Sequence, residues 1–308
     1  MRWRKLGLIY QPTSCPPWFS YGAITPTPIP SDDTTISFIV TRCDRNGVGR
    51  PASVTLDLKD PFDVRVVEDQ SPLLDVGRAG MFDDNGVMAC SVVSLPSGDQ
   101  VMYYVGFELC ARIRYRLFTG AAVRTRGQGE FFRVSPTPLL DRLPGEAFFR
   151  GGPCVLREGD VYRMWYVAGD TWTTIANKQC PVYELRYLES RDPLCWSGNG
   201  RICMKLGNEE HGIGRPWVVR AVDRYQLFFS RRSLAHGGEY RLGYAESNDG
   251  ISWRRMDEDL NLDVSDSGWD SKAIMYAVVT RINEQTWCFY NGNDFGREGF
   301  GAAIMDEP

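Results

Sequence analysis

Histidine is nearly missing from this chain, with 2 among 308 residues. The 9 cysteines, at positions 15, 43, 90, 110, 154, 180, 195, 203 and 288, never stand in a Cys-x-x-Cys pair. So few soft ligands in metal-binding order exclude a zinc or iron–sulfur centre, and no metal or cofactor is expected. An odd count with no pairing pattern argues against a disulfide framework. Free thiols suit a reducing compartment, so the expected location is the cytoplasm. Positive surplus is lacking too: 35 Lys and Arg stand against 39 Asp and Glu, a net charge of −4. Nucleic acid, which needs a basic footprint, is therefore not an expected partner. There is no apolar run of the roughly 18 residues that a membrane span requires. The opening Leu6-Gly7-Leu8-Ile9-Tyr10 is too short for a secretory signal core and meets prolines at once. Finally, no stretch sustains a helical period.

What the chain does have is aromatic residues, 12% of the total with 9 Trp and 14 Tyr, and a repeat. Tyr187-Leu188-Glu189-Ser190-Arg191-Asp192-Pro193-Leu194-Cys195-Trp196 returns without a gap as Tyr244-Ala245-Glu246-Ser247-Asn248-Asp249-Gly250-Ile251-Ser252-Trp253. A fixed period of about 60 residues means stacked supersecondary units. Each unit reads as an apolar strand, a Gly/Asn/Asp turn and a strand ending in aromatics, which is hairpin chemistry. Gly152 to Leu156, the turn Glu158-Gly159-Asp160, and Val161-Tyr162-Arg163-Met164-Trp165-Tyr166 form one such unit. A degenerate first copy turns at Ser31-Asp32-Asp33, and the last turns at Asn283-Glu284. A third strand and a fourth carrying Trp follow in each complete unit. The period therefore predicts an all-β fold, a five-bladed β-propeller with four-stranded antiparallel blades. The blades would cover 12–75, 76–140, 141–205, 206–262, and 263–308 plus 1–11. The N-terminal strand would supply the missing outer strand of the last blade and close the ring.

In that architecture the loop before strand one and the loop after strand two open on one face, over the axis. The first set of loops carries an acid at nearly the same place in four units: Asp83 or Asp84, Glu146, Glu210 and Asp270. From 83 to 146, 210 and 270 the steps are 63, 64 and 60 residues. The second set carries Arg42, Asp44, Asp170, Arg231, Asn291 and Asn293, and Arg215 and Tyr276 lie early in their first strands. Paired carboxylates at a channel mouth suit glycosyl transfer, one kept ionised and the other kept protonated. Asp at a strand start also caps turns, so each acid has a structural reading beside the functional one. His211, in the loop with Glu210, is a candidate acid/base or substrate contact. Trp196 and Trp253 are expected to pack between units.

Phe82-Asp83-Asp84-Asn85-Gly86-Val87, Arg163-Met164-Trp165-Tyr166, Gly214-Arg215-Pro216, the string Gly243 to Trp253 and Phe289-Tyr290-Asn291-Gly292-Asn293 resemble the glycosidase-like five-bladed propeller proteins. These are similar to the arabinanase, xylosidase and invertase clan of glycoside hydrolases. The resemblance runs from about residue 80 to the C-terminus. It implies a sugar-processing fold with three acids about the axis: a base or nucleophile, a pKa-tuning Asp and a Glu acid. Thr25 to Pro30 offers no first-blade acid, and the invertase-like Asn-Asp-Pro-Asn-Gly string is missing. The expected function is a carbohydrate-active enzyme with acids drawn from Asp84, Glu146, Glu210 and Asp270. Arg215 and Arg231 would hold an anionic or hydroxyl-rich group of a sugar or sugar-derived small molecule. The alternatives are a tailoring transferase, cyclase or lyase of polysaccharide or specialised-metabolite biosynthesis, and a non-catalytic glycan-binding propeller.

Overall fold

A computed structural model describes residues 1–12, 16–29, 35–57, 71–175, 177–282 and 284–306, and the backbone of 65–68. Cys15, the turn at Ser31-Asp32-Asp33 and Asn283 lie outside these residues. After β1 (Trp3–Tyr10) the chain lays down antiparallel strands in sequential runs. The first comprises β2 (Tyr21–Ile29), β3 (Thr35–Cys43), β4 (Gly49–Asp57) and β5 (Arg65–Glu68). Next come β6 (Val87–Ser94), β7 (Gln100–Leu109), β8 (Tyr115–Arg124) and β9 (Phe132–Arg133). They are followed by β10 (Phe149–Glu158), β11 (Val161–Ile175), β12 (Lys178–Ser190) and β13 (Arg201–Met204). Another run is β14 (Glu210–Arg220), β15 (Tyr225–Ser233), β16 (Tyr240–Ser247) and β17 (Arg254–Arg255). Strands β18 (Met275–Ile282), β19 (Gln285–Asn291) and β20 (Phe300–Met305) come last, and β1 returns to their edge, pairing with β20 from Trp3↔Met305 to Tyr10↔Phe300. The N-terminal strand thus takes the outer position expected of it.

Local chemistry explains the hairpins and one recurring irregularity. Glu158 pairs with Val161 across the two-residue turn Gly159-Asp160, where Gly159 supplies the left-handed φ of 61° that such a turn needs. The first strand of every run carries a bulge: before Thr27, between Ala89 and Ser91, between Gly151 and Cys154, between Gly214 and Trp217, and between Met275 and Val278. In four of these strands a residue inside the bulge is left-handed: Thr25 (φ 53°), Gly152 (61°), Arg215 (49°) and Tyr276 (58°). A bulge re-aims the side chain it carries, and here it does so at equivalent heights of successive runs.

The apolar core is divided into clusters that lie between runs. Phe38 of β3 meets Phe289 of β19 and Phe300 of β20, with ring centroids 4.7 and 5.4 Å apart, so the first run packs on the last. Trp196 stands edge-on to Tyr103 of β7 at 6.4 Å, while the Tyr103 hydroxyl donates to the Pro193 carbonyl at 2.8 Å. Trp253 meets Trp165 of β11 at 6.5 Å, and the Trp165 indole donates to the Gly250 carbonyl at 2.7 Å. The repeated Trp string therefore works at the seams between runs, as the sequence predicted. Each fully buried aromatic contributes about 1.5–3 kcal/mol by removal from water. Among the described cysteines all are free, and Cys43, Cys90, Cys154, Cys180 and Cys288 are buried.

Candidate functional site

The four periodic acids each turn toward the outer strands of their own run. Glu146, 0% exposed, forms ion pairs with Arg150 and with Arg186 of β12 (2.9 Å), and also accepts from the Tyr166 hydroxyl (2.8 Å), Asn199 (3.0 Å) and the Gly200 amide (3.2 Å). Glu210 takes both arms of the Arg255 guanidinium of β17 at 2.7 Å, and the Gly207 amide at 2.8 Å. Asp270, 2% exposed, pairs with Lys5 of β1 (2.7 Å) and accepts from Tyr290 (3.1 Å). In the β6–β9 run the buried member is Asp83, held by Arg133 of β9 (2.8 Å) and the Tyr104 hydroxyl (2.9 Å). Its neighbour Asp84 is half-buried and accepts from the Gly80 amide (2.7 Å) and Asn85. The pattern is one device repeated: an acid ahead of strand one, or at its first residue in Glu210, fastened to a cation of an outer strand, with Arg150 of β10 as a second cation on Glu146. Burial alone would raise the Glu210 carboxyl, but the hydrogen bonds from Arg255 and Gly207 outweigh it and hold it below the usual carboxylate value.

Several expected ligand residues are likewise engaged within the fold. Asp44 accepts from the amides of Asn46 and Val48, in an Asx turn, and pairs with Arg50 at 3.5 Å. Arg42 is buried against the rings of Phe19 and Tyr10, 4.4 and 5.8 Å from their centroids. Arg231 pairs with Asp257 at 3.7 Å, and Asp170 is exposed on β11. Asn291 accepts from the Thr25 amide (2.8 Å) and donates to the carbonyls of Ala23 and Gly299, fixing the β2 bulge to the end of β19. Asn293 accepts from the amides of Lys272 and Ala273 and so holds the loop ahead of β18.

Among the expected residues, Tyr276 donates its amide to Ser230, which pairs with Gly214 next to Arg215, and His211 approaches Gly238, as Arg232 does; around them lie partners that sequence reasoning passed over. The hydroxyls of Tyr183 on β12 and Tyr240 on β16 are 2.8 Å apart. The Tyr240 ring lies 5.6 Å from that of Tyr276, and Arg232 covers its face at 5.0 Å. Tyr115, at the start of β8, joins through Trp172 (5.2 Å) and Phe149 (6.3 Å), and Phe149 reaches Tyr183 at 5.9 Å. Gly212 makes room for this: a Cβ there would stand 2.7 Å from the Tyr183 ring. Burial pushes the Tyr115 phenol up to about 12, and those of Tyr183 and Tyr276 well above their ordinary value, so all three keep their protons at neutral pH.

Below them Arg215, 4% exposed, reaches from β14 to the Cys90 carbonyl of β6 (2.6 Å) and the Thr27 hydroxyl of β2 (2.9 Å). One guanidinium thereby joins three first strands. His211, 5% exposed, has Nδ1 3.2 Å from the Pro181 carbonyl. A carbonyl only accepts, so Nδ1 carries the hydrogen and the neutral ring leaves Nε2 as a base. Burial holds this imidazole below its ordinary 6.5, against the opposing Pro181 contact. Nε2 has no hydrogen-bond partner among the described residues. The arrangement offers phenol donors, a neutral imidazole and two guanidiniums beside aromatic faces, groups whose chemistry suits hydroxyl-rich compounds and proton transfer. No group of three or more His, Cys, Asp or Glu suited to a metal ion occurs among the described residues.

Comparison with known proteins bears on the fold first. A glycoside hydrolase of known structure superposes with TM-score 0.72 at 18% identity, covering 99% of this chain and 92% of its own. A thermostable family-43 glycoside hydrolase gives 0.67 at 16% over 92% and 89%. The alpha-L-arabinofuranosidase from Lactobacillus brevis gives 0.67 at 10% over 92% and 90%. At these identities the likeness is one of fold, and the fold is that of the glycosidase-like propellers. No family model matches the chain. In sequence, Uncharacterized protein Rv1502 of Mycobacterium tuberculosis is 33% identical over 312 residues, which are 99% of this chain and 100% of that protein. The chain belongs to the Rv1502 family. Uncharacterized protein MT1551, from another strain of that organism, matches over the same lengths at the same 33%. This member of the family has an all-β, glycosidase-like architecture.

Proposed function

We propose that the protein is a carbohydrate-active enzyme on a five-bladed β-propeller, its runs the blades over 12–75, 76–140, 141–205, 206–262, and 263–308 plus 1–11. The core clusters support this reading, since they fall between successive runs and one joins the last run back to the first. A ring closed by β1 puts the first strands on the axis. The substrate, a sugar or sugar-derived small molecule, meets the enzyme where Tyr115, Tyr183, Tyr240 and Tyr276 converge. That convergence carries the proposal: aromatic faces take the C–H face of a sugar ring, and phenols answer its hydroxyls.

Proton transfer in this site falls to His211, with Nε2 as base and a buried phenol as acid. Hydrolysis by two carboxyls requires one of them to be kept protonated. Arg255 instead holds Glu210 ionised, and the other repeat acids are fastened by Arg133, Arg150, Arg186 and Lys5. This supports a tailoring reaction such as transfer, cyclisation or elimination over hydrolysis by the repeat acids. The test is a thermal-shift and product screen of wild type, His211→Gln and Glu210→Gln against sugars, sugar acids and sugar nucleotides. A ligand that stabilises all three proteins, with turnover lost only in His211→Gln, is the expected result. Turnover lost in Glu210→Gln at unchanged binding would return the chemistry to the carboxylates.

A further inference from the structure

We propose that the sugar is anionic, its carboxylate or phosphate seated between Arg215 and Arg232. This deepens the preceding reading and rests on it. Charge pairing comes first. Arg133, Arg150, Arg186 and Arg255 all face carboxylates. Arg215 and the half-buried Arg232 have none among the described residues: Arg215 meets the Cys90 carbonyl and Thr27 hydroxyl, and Arg232 the Gly238 carbonyl (2.9 Å) and the Tyr240 ring. A buried cation with no counter-charge is expensive, and a chain that keeps two at one place has use for an anion there.

An unsatisfied donor lies at the same place. Arg215 Nε is buried without a hydrogen-bond partner among the described residues, in a side chain more than nine-tenths buried. Tyr276 links the two: its amide donates to the Ser230 hydroxyl (2.8 Å), Ser230 pairs with Gly214 next to Arg215, and its ring lies 5.6 Å from that of Tyr240, which Arg232 covers. Backbone strain is the third observation. Arg215 and Tyr276 hold left-handed φ values of 49° and 58°, a conformation that bulky residues adopt rarely and that clusters at ligand sites. A guanidinium fork matches the oxygens of a carboxylate or phosphate, and phenol donors add hydrogen bonds to the same charge.

The test is isothermal titration of the full chain with uronic acids, sugar 1-phosphates, the neutral parent sugars and inorganic phosphate. The charged members are expected to bind at least tenfold tighter than their neutral parents, and less tightly as salt rises. Uronate against sugar phosphate decides which anion is meant. Arg232→Gln, and separately Arg215→Lys, which keeps the charge and loses the fork, should each weaken the charged ligand at least tenfold more than its neutral parent. Neutral sugars binding as tightly as charged ones would overturn the anion and leave the sugar site standing. Phosphate binding with no sugar binding would overturn the sugar site and with it this proposal. Charged-ligand affinity unchanged in both folded variants would remove the anion from this position.

Discussion

Replacing Glu146 by Gln separates a fold-holding acid from a catalytic one. Every recorded neighbour of this carboxylate is a donor: Arg150, Arg186, the Tyr166 hydroxyl, Asn199 and the Gly200 amide. An amide turns two hydrogens toward those donors and leaves Arg150, 4% exposed, facing a neutral group. Removing one partner of a buried ion pair costs about 3–5 kcal/mol. An unfolding entropy of about 2.1 cal/mol/K per residue over this chain converts that to a fall in Tm of about 5–8 °C. Scanning calorimetry of Glu146→Gln reads the change directly, with the exposed Asp170→Asn as a control expected within about 0.5 kcal/mol of wild type. Ligand affinity at 20 °C should stay within about threefold of wild type, because no contact joins Glu146 to the tyrosine cluster among those described. A Tm within 1–2 °C of wild type together with loss of turnover would refute the argument, since it describes a carboxylate spent on chemistry rather than on the fold.

Glu210 gives the acid limb: its folded pKa lies below the unfolded value, so the stability it adds is present above the ordinary 4.5 and is lost as pH falls through the lowered value. Urea titrations from pH 6 to 3 should therefore show a shallower acid loss in Glu210→Gln than in wild type. His211 acts at higher pH: with a folded pKa depressed from 6.5, it costs stability as pH falls below 6.5, and His211→Gln should flatten the same curve between about pH 6.5 and 5. Gly301→Ala would put a Cβ 2.4 Å from the Gly7 carbonyl and 2.3 Å from the Trp269 ring. It should cost about 1–3 kcal/mol and raise hydrogen exchange in β1 and β20 before other strands.

The period made the architecture legible because each unit needs the same seam. Trp196 and Trp253 recur in step, and both end up between runs, where a large flat side chain closes the gap between twisted sheets. The pairing of Trp3–Tyr10 with β20 was legible from the last unit's missing edge. The partners of the acids were not. Asp270 and Lys5 lie 265 positions apart, and nothing local in a single sequence ties them. Tyr115, Tyr183 and Tyr240 escaped for another reason. Their steps are 68 and 57, because β11 and β12 run on to Ile175 and from Lys178 while their counterparts stop short. Chain added beyond the second strand breaks the step: Tyr115 and Tyr240 open their third strands, while Tyr183 stands five residues into a longer one.

The same contrast explains where function should be sought in a repeat protein. An acid found at one step in four units is answering a need that the units share, and here that need is to fasten the loop ahead of strand one to the outer strands. A pocket over an axis has only one ligand, so equivalent positions around it meet different parts of that ligand. They are expected to differ in residue type while sharing a backbone. The bulge of the first strands fits this description: its left-handed residue is Thr25, Gly152, Arg215 and Tyr276 in four strands. One backbone device is kept, and its side chain is changed each time from hydroxyl to none, to guanidinium, to phenol. Conserved geometry with divergent chemistry is the mark of a site that a repeat has specialised, and it picks out Arg215 and Tyr276 over the four regularly spaced acids.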